Sequence, residues 1–380
     1  MMPAMDKRHA RRVHVAVACV ATIALLLCLL LGWHAPRQAL LSYLVAGMFG
    51  LSLSLGSMAL LMVHVLTGGG WGWYLRPQLL AALRPLPWLA VLWLPLLLGM
   101  HLLYPWAAPG AMANAALRRQ SWYLDDGFFI VRMLVCFGLW LWLASALRRR
   151  LDRADDAGLS RFAALGLIVY LLTVTTAAVD WVMSLVPAWR SSIFGLIVAT
   201  SQLLAAAALA VLYAALRHRR IDVPSHPPAE PARLLGDVSN LLLTLVLAWS
   251  YLAFMDYLTA WIGDLPAETV WYLPRLKTSW SALGVALVVF HLAVPFAVLL
   301  SRQAKHHAGW LLAVAALLLV MHYVYVFWLV VPSFRSGGFA LAWSDPLAWL
   351  GIGGWWWVLF DARWRAVVQP VNASAARAWP

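Results

Sequence analysis

Five ionisable residues lie within long apolar segments, where a charge is costly and so marks a functional position. In chain order they are Arg132, Asp180, Asp256, His291 and His322. Asp256 has no basic residue in its own segment. Such a carboxylate either exchanges protons or stays a protonated acid hydrogen-bonded to a neighbouring Tyr or Ser. These residue types indicate a proton path or the wall of a quinone pocket.

The two histidines fall at similar depth, which is also what two axial haem ligands need. No second pair accompanies them, because His64 and His101 fall near opposite ends of their segments. We therefore favour a proton relay or a hydrogen bond to a quinone over haem, with packed, satisfied histidines as the structural alternative.

Position along each segment gives depth, because a helix rises about 1.5 Å per residue. Arg132, Asp180 and Asp256 fall about 7.5, 9 and 10 Å from the same membrane face, so they share one level. The two histidines lie deeper, at about 15–16 Å. The segments of Arg132 and Asp180 are consecutive and antiparallel, which predicts an Arg–Asp pair, and for Arg132 we favour a structural link over a functional role. Glu268, in the loop after Asp256, would stand at the exit of a proton path.

The composition is that of a membrane protein: 64% of residues are hydrophobic, 11% are charged, and the mean hydropathy is +0.80. The net charge of +13 resides in short loops, so we expect contact with the lipid bilayer and no nucleic-acid partner. No CxxCH motif or paired-cysteine spacing occurs, so no metal site is expected.

Ten apolar segments approach the ~20 residues that a bilayer requires, which predicts an all-α polytopic membrane protein with about ten transmembrane helices. The last is the weakest, and the first is expected to be an uncleaved helix. A polar, Pro-rich loop is expected at 217–235. The predicted spans are 13–32, 39–66, 84–105, 127–147, 161–185, 193–216, 238–262, 279–301, 309–331 and 346–361.

The basic residues predict orientation. Of the 28 Lys and Arg residues, twenty fall on the side of both chain ends, seven fall on the other side, and Arg132 belongs to neither set. The positive-inside rule then places the N- and C-termini in the cytoplasm. The seven are Arg37, Arg118, Arg119, Arg190, Arg275, Lys277 and Arg335.

A faint internal repeat relates residues 122–124 (WYL) to 271–273 (WYL), and 186–191 (VPAWRS) to 331–336 (VPSFRS). The separations are nearly equal, and both relate elements four spans apart, which predicts a parallel repeat. The alternative is a coincidence of interfacial residue types. The repeat predicts two four-helix bundles, at 39–192 and 193–345, with flanking helices at 13–38 and 346–380.

Several stretches resemble the NrfD-like (polysulfide-reductase-C-like) membrane subunits. The most similar of these is the ActF family, the smaller such subunit of alternative complex III, a quinol:cytochrome c oxidoreductase. The family more often has Gln where Asp256 stands and Asn where Asp264 stands. The resembling stretches are FFIVR (128–132), TAAVDWVMSLVPAW (176–189), WSY through WIGDLPAE (249–268), HLAVPF (291–296) and SRQAK (301–305).

The resemblance implies two four-helix bundles with flanking helices in a bacterial inner membrane, and a subunit without a redox metal. It implies menaquinone or ubiquinone as the quinol. The implied partners are a larger NrfD-like subunit, an iron–sulfur subunit, multihaem and monohaem cytochrome c subunits, and a terminal oxidase. In such a complex this chain would supply quinone-pocket walls, a proton path, or both.

The rival class is a secondary transporter, since ten spans, a repeat and buried Asp, Arg and His fit that class too. Two features count against it. The repeat is parallel, and no span is clearly interrupted by Gly or Pro at its middle, apart from the glycines at 47, 50 and 56.

Overall fold

A computed structural model describes residues 7–153, 156–218, 231–305 and 307–368, and within these ranges the chain folds entirely into helices and their connections. The predicted loop at 217–235 and the C-terminal tail lie largely outside the described residues. The helices are α1 (Lys7–Gly32), α2 (Pro36–Thr67), α3 (Gly70–Ala82), α4 (Leu86–Leu92), α5 (Leu94–Leu98), α6 (Met100–Leu103), α7 (Ala115–Arg118), α8 (Asp126–Arg153), α9 (Asp156–Trp181), α10 (Phe194–His218), α11 (Pro231–Gly263), α12 (Pro266–Thr269), α13 (Tyr272–Lys277), α14 (Ser281–Ala286), α15 (Val294–Leu300), α16 (Arg302–Lys305), α17 (Ala308–Val330) and α18 (Ser344–Val368).

In these ranges, nine helical segments are long and apolar enough to cross a membrane. The protein is therefore an all-helical, multi-pass membrane protein, as the composition predicts. The tenth predicted segment does form a helix, α18, but it is not among the nine. The nine are His9–Gly32, Pro36–Thr67, Gly70–Leu98, Asp126–Asp152, Gly158–Leu185, Phe194–Leu216, Leu234–Gly263, Ser281–Leu300 and Ala308–Ser333.

Two helices, α2 and α10, form the centre of the molecule. They pack against each other, and α2 also contacts α3, α9, α17 and α18, whereas α10 also contacts α9, α11 and α17. Small residues permit the close approach. A Cβ on Gly56 would lie 2.0 Å from the backbone oxygen of Gln202 on α10, and one on Gly47 would meet the ring of Trp93. The glycines of α2 therefore serve packing, and α2 continues through them unbroken.

The third span is interrupted, contrary to our expectation. It begins at Gly70 rather than at residue 84, and the chain bends at 83–85 between α3 and α4. Helix α3 lies against the ends of other helices: Gly70 against Leu234 near the start of α11, Tyr74 against Ala214 near the end of α10, and Arg76 against Leu151 near the end of α8. It therefore crosses one end of the helix bundle. We call this the basic end, because Arg76 and Arg84 lie there.

The first and last described helices, α1 and α18, pack side by side, and α18 also packs on α2. A hydrogen-bonded contact joins them near the basic end. His14 Nε2 lies 2.7 Å from Oδ2 of Asp361, and the same oxygen accepts a hydrogen bond from Arg365 Nε at 2.5 Å. Asp361 is 2% exposed, so its charge is satisfied within the protein.

Candidate functional site

The predicted Arg132–Asp180 pair is confirmed. Arg132 Nε donates to Asp180 Oδ2 at 2.8 Å and Nη2 donates to Oδ1 at 3.0 Å, and both residues are buried. Arg132 Nη1 donates to the carbonyl of Tyr123 at 3.0 Å, and the guanidinium stacks on the rings of Tyr123 and Phe128 at 3.9 and 4.3 Å. A fork–fork pair with this many additional contacts is a structural link between α8 and α9.

Asp256 accepts two hydrogen bonds from hydroxyl groups. Tyr272 OH donates to Oδ2 at 2.6 Å, and Ser191 Oγ donates to Oδ1. In the described part of the chain no cation pairs with this half-buried carboxylate. Burial, and then the charge of Asp256, raise the pKa of Tyr272, so its hydroxyl remains a donor. Hydrogen bonds from a Tyr and a Ser are what we expect if Asp256 has only a structural role. The same two hydroxyls could also carry a proton away from Asp256.

His291 and His322 come together in the core, and both have 0% exposure. All four of their ring nitrogens lack a hydrogen-bond partner among the described residues. Aromatic rings surround them: Trp249 stacks on His291 at 4.3 Å, Phe49 lies 5.9 Å from His322, and Tyr325 lies 6.3 Å from each histidine. Among the described residues, aromatic packing holds both imidazole rings in place.

The backbone around His291 is a π-helix at Leu287–Ala293, inside the span Ser281–Leu300. The sequence supplies a cause. Pro295 stands four residues after His291 and has no N–H, so it cannot donate the α-helical bond to the His291 carbonyl. Short π segments are frequent at functional sites. This is a second interrupted span, and sequence inspection missed it.

Tyr325 connects the two groups of polar residues. It is 3% exposed, it interacts electrostatically with both Asp256 and Tyr272, and its ring lies beside both histidines. The sequence predicts a water or a Ser or Thr side chain between Asp256 and His291, whereas the hydroxyl-bearing side chain that packs beside His291 is Tyr325. The repeat offered a signal for it, because the offset that relates residues 186–191 to 331–336 also relates Asp180 to Tyr325.

The remaining predicted site residue, Glu268, lies half-buried on the short helix α12. Its carboxylate faces Gly263, and it shares no hydrogen bond with Asp256 in the described structure. His64 and His101 lie near the ends of their helices, as predicted. His64 Nδ1 lies 3.2 Å from the carbonyl of Gly68 where α2 ends, and His101 lies 3.8 Å from Asp126 in an exposed pair.

One buried cation has a structural role that the sequence did not predict. Arg275 is one of the seven Lys and Arg residues assigned to the loops opposite the chain ends, and it is 1% exposed. It donates to the carbonyls of Trp271 at 2.6 Å and Leu329 at 2.7 Å, and its guanidinium stacks on Trp271 at 3.6 Å. Its position in a polar loop gave no sign that it would bind the end of α17.

The described residues form an all-helical membrane protein whose core holds buried polar side chains, some of which have no hydrogen-bond partner among these residues. Among the described residues no group of three or more His, Cys, Asp or Glu side chains could hold a metal ion. No protein-family model matches the chain, and no curated protein sequence is significantly similar to it.

Proposed function

We propose that this chain is an integral membrane subunit of a quinol:cytochrome c oxidoreductase of the alternative complex III type, in which it carries a proton path beside a quinone-binding region. The observation that carries the proposal is the buried pair His291 and His322, whose ring nitrogens have no hydrogen-bond partner among the described residues and which lie beside Tyr325, within electrostatic range of Asp256. The NrfD-like resemblance of the sequence supports the same function.

The residue chemistry fits this role. A neutral imidazole has one nitrogen that donates and one that accepts, so each histidine can hold a proton or bind a carbonyl oxygen. Tyr325, Tyr272 and Asp256 would continue the polar groups from the histidines toward Ser191 in the loop before α10. A quinone would add carbonyl oxygens that could accept from the histidines, and its head group is flat and apolar like the surrounding rings of Trp249 and Phe49.

The helix contacts support the proposed two-bundle architecture. Helices α2, α4, α8 and α9 contact one another in sequence, as do α10, α11, α15 and α17. The contact between α2 and α10 would then join the two bundles. The flanking helices of this arrangement would be α1 and α18.

The decisive test compares variants of Tyr325 and Asp256 with a control variant of the neighbouring Tyr323 in the assembled complex. Tyr325→Phe removes the linking hydroxyl and Asp256→Asn removes the titrating group, and each retains the shape of the side chain. Tyr323→Phe is the matched control, because Tyr323 packs on Phe49 and Trp349 and lies outside the path. We expect the first two variants to assemble but to lose much of their quinol:cytochrome c turnover or coupled proton movement. Full activity in both between about pH 6 and 8 would exclude the path.

One observation favours the transporter as a second candidate. Two spans are interrupted, at Trp93 and Gly99 between the short helices α4, α5 and α6, and in the π segment that holds His291, and discontinuous helices often form transporter binding sites. Affinity purification of the tagged chain from native membranes, followed by haem staining, separates the two functions. A co-purifying c-type cytochrome supports the respiratory subunit, and a chain that purifies alone supports the transporter.

A further inference from the structure

Three arginines from separate parts of the chain converge at the basic end of the bundle. Arg84 stands in the bend between α3 and α4, Arg148 lies on the last turns of α8, and Arg363 lies on the last turns of α18. Helix α3 ends just before Arg84 and packs on α18, and its Arg76 donates to the carbonyl of Leu151 near the end of α8, so the three positions lie at the same end of the bundle. Arg84 and Arg363 both act electrostatically on Arg148.

No hydrogen-bonded acid among the described residues neutralises their positive charge. In the described ranges, none of the three guanidiniums makes a hydrogen bond or an ion pair. The buried carboxylate of Asp361, two residues from Arg363, is already engaged by His14 and Arg365. The exposed carboxylate of Asp152 interacts electrostatically with Arg148 but makes no hydrogen bond to it in the described structure. Three like charges held together in this way favour an anionic ligand.

Aromatic residues lie next to this cluster on the membrane-facing side. Trp88 is one turn beyond Arg84 on α4, and Trp355 lies about 12 Å before Arg363 on α18. Their ring centroids are 5.7 Å apart, and Trp88 is 38% exposed. Tryptophan favours the depth at which the lipid head group meets the acyl chains. The site therefore combines phosphate-binding cations with an apolar surface.

We propose that Arg84, Arg148 and Arg363 form a binding site for the phosphate of an anionic phospholipid, whose acyl chains lie along Trp88 and Trp355. Basic pockets between helices are a known means of binding anionic head groups. Guanidinium groups suit phosphate because each can donate two parallel hydrogen bonds. A lipid in this place would bridge α4, α8 and α18.

The test uses the full chain, purified in neutral detergent and delipidated. Binding of phosphatidylglycerol or cardiolipin is titrated by native mass spectrometry, with phosphatidylcholine as the neutral lipid. The site variant carries Arg84→Gln, Arg148→Gln and Arg363→Gln. The matched control removes the same charge from three exposed arginines near the ends of α8, α9 and α15. These control changes are Arg149→Gln, Arg161→Gln and Arg302→Gln.

We expect the wild type and the control variant to prefer anionic lipid, and the site variant to lose affinity for it on the order of 100-fold. If the site variant does not fold, the single change Arg84→Gln at the exposed bend should still weaken binding severalfold. An equal loss in the control variant would show only general charge attraction and would overturn the site. Inorganic phosphate that raises the melting temperature as much as phosphatidylglycerol would overturn the assignment to a lipid.

Discussion

The link between Arg132 and Asp180 makes a strong prediction about stability. Asp180→Asn keeps the shape of the side chain but removes the charge that pairs with Arg132. Three of the five N–H groups of Arg132 are used in the structure, two on Asp180 and one on the Tyr123 carbonyl. The amide can accept only through its single oxygen, and its NH₂ group would face a guanidinium.

The expected cost follows from the burial of the pair. Arg132 is 8% exposed and Asp180 is 2% exposed, so removal of one partner leaves a charge without compensation. Breaking such a buried pair costs about 3–5 kcal/mol. At about 1.4 kcal/mol per factor of ten, this corresponds to roughly two to three and a half orders of magnitude in the folding equilibrium.

The assay is thermal unfolding in detergent, followed by fluorescence-detected gel filtration of a tagged chain. Asp126→Asn is the matched control on the same helix as Arg132, because its pair with His101 is exposed and worth about 0–1 kcal/mol. The double change Arg132→Met with Asp180→Leu should restore most of the stability, since neither charge then remains. The reasoning fails if Asp180→Asn unfolds at the same temperature as Asp126→Asn, or if the double variant is as unstable as the single one.

Three further predictions concern orientation and packing. Reporter fusions after Arg150 and Arg220 should read cytoplasmic, and fusions after Arg119 and Lys277 should read periplasmic. One opposite result would refute the ten-span topology. Gly56→Ala should cost about 1–3 kcal/mol of unfolding free energy, because its Cβ would strike the Gln202 backbone. Gly138→Ala, with open space around it, should leave the unfolding free energy unchanged or raise it by up to about 1 kcal/mol. Equal melting temperatures of the Gly56→Ala and Gly138→Ala variants would contradict this. Arg275→Lys should lose about 1–3 kcal/mol by thermal unfolding because it cannot serve the same carbonyls, whereas the exposed Arg119→Lys should not.

Most of the fold could be predicted from the sequence because apolar length is a strong signal in a membrane protein. The predicted segments all correspond to helices in the structure, with boundaries that shift by a few residues. The exception is the third span, where apolar residues in α3 lie against helix ends. Hydropathy records that a residue is apolar, and it does not distinguish burial against protein from burial in lipid.

The site was predictable to the extent that charge is rare inside the bundle. Arg132 and Asp180 could be paired because their helices are consecutive and their depths agree. The role of Tyr325 was harder to predict, since tyrosine is common in membrane proteins and its position depends on how α17 packs. The hydroxyl partners of Asp256 come from two separate segments, the loop before α10 and the start of α13, and no local sequence pattern relates Ser191 to Tyr272.

The pairing of α1 with α18 has a consequence for biogenesis. His14 and Asp361 are 347 residues apart in the chain. At about 5–20 residues per second, a ribosome needs roughly 17–70 s to proceed from one to the other. During that time α1 must wait in the membrane without the helix that covers it, with the imidazole of His14 lacking its carboxylate. A chain halted before α18 would expose this surface, which makes the packing of α18 on α1 a point at which a quality-control protease can distinguish folded molecules from incomplete ones.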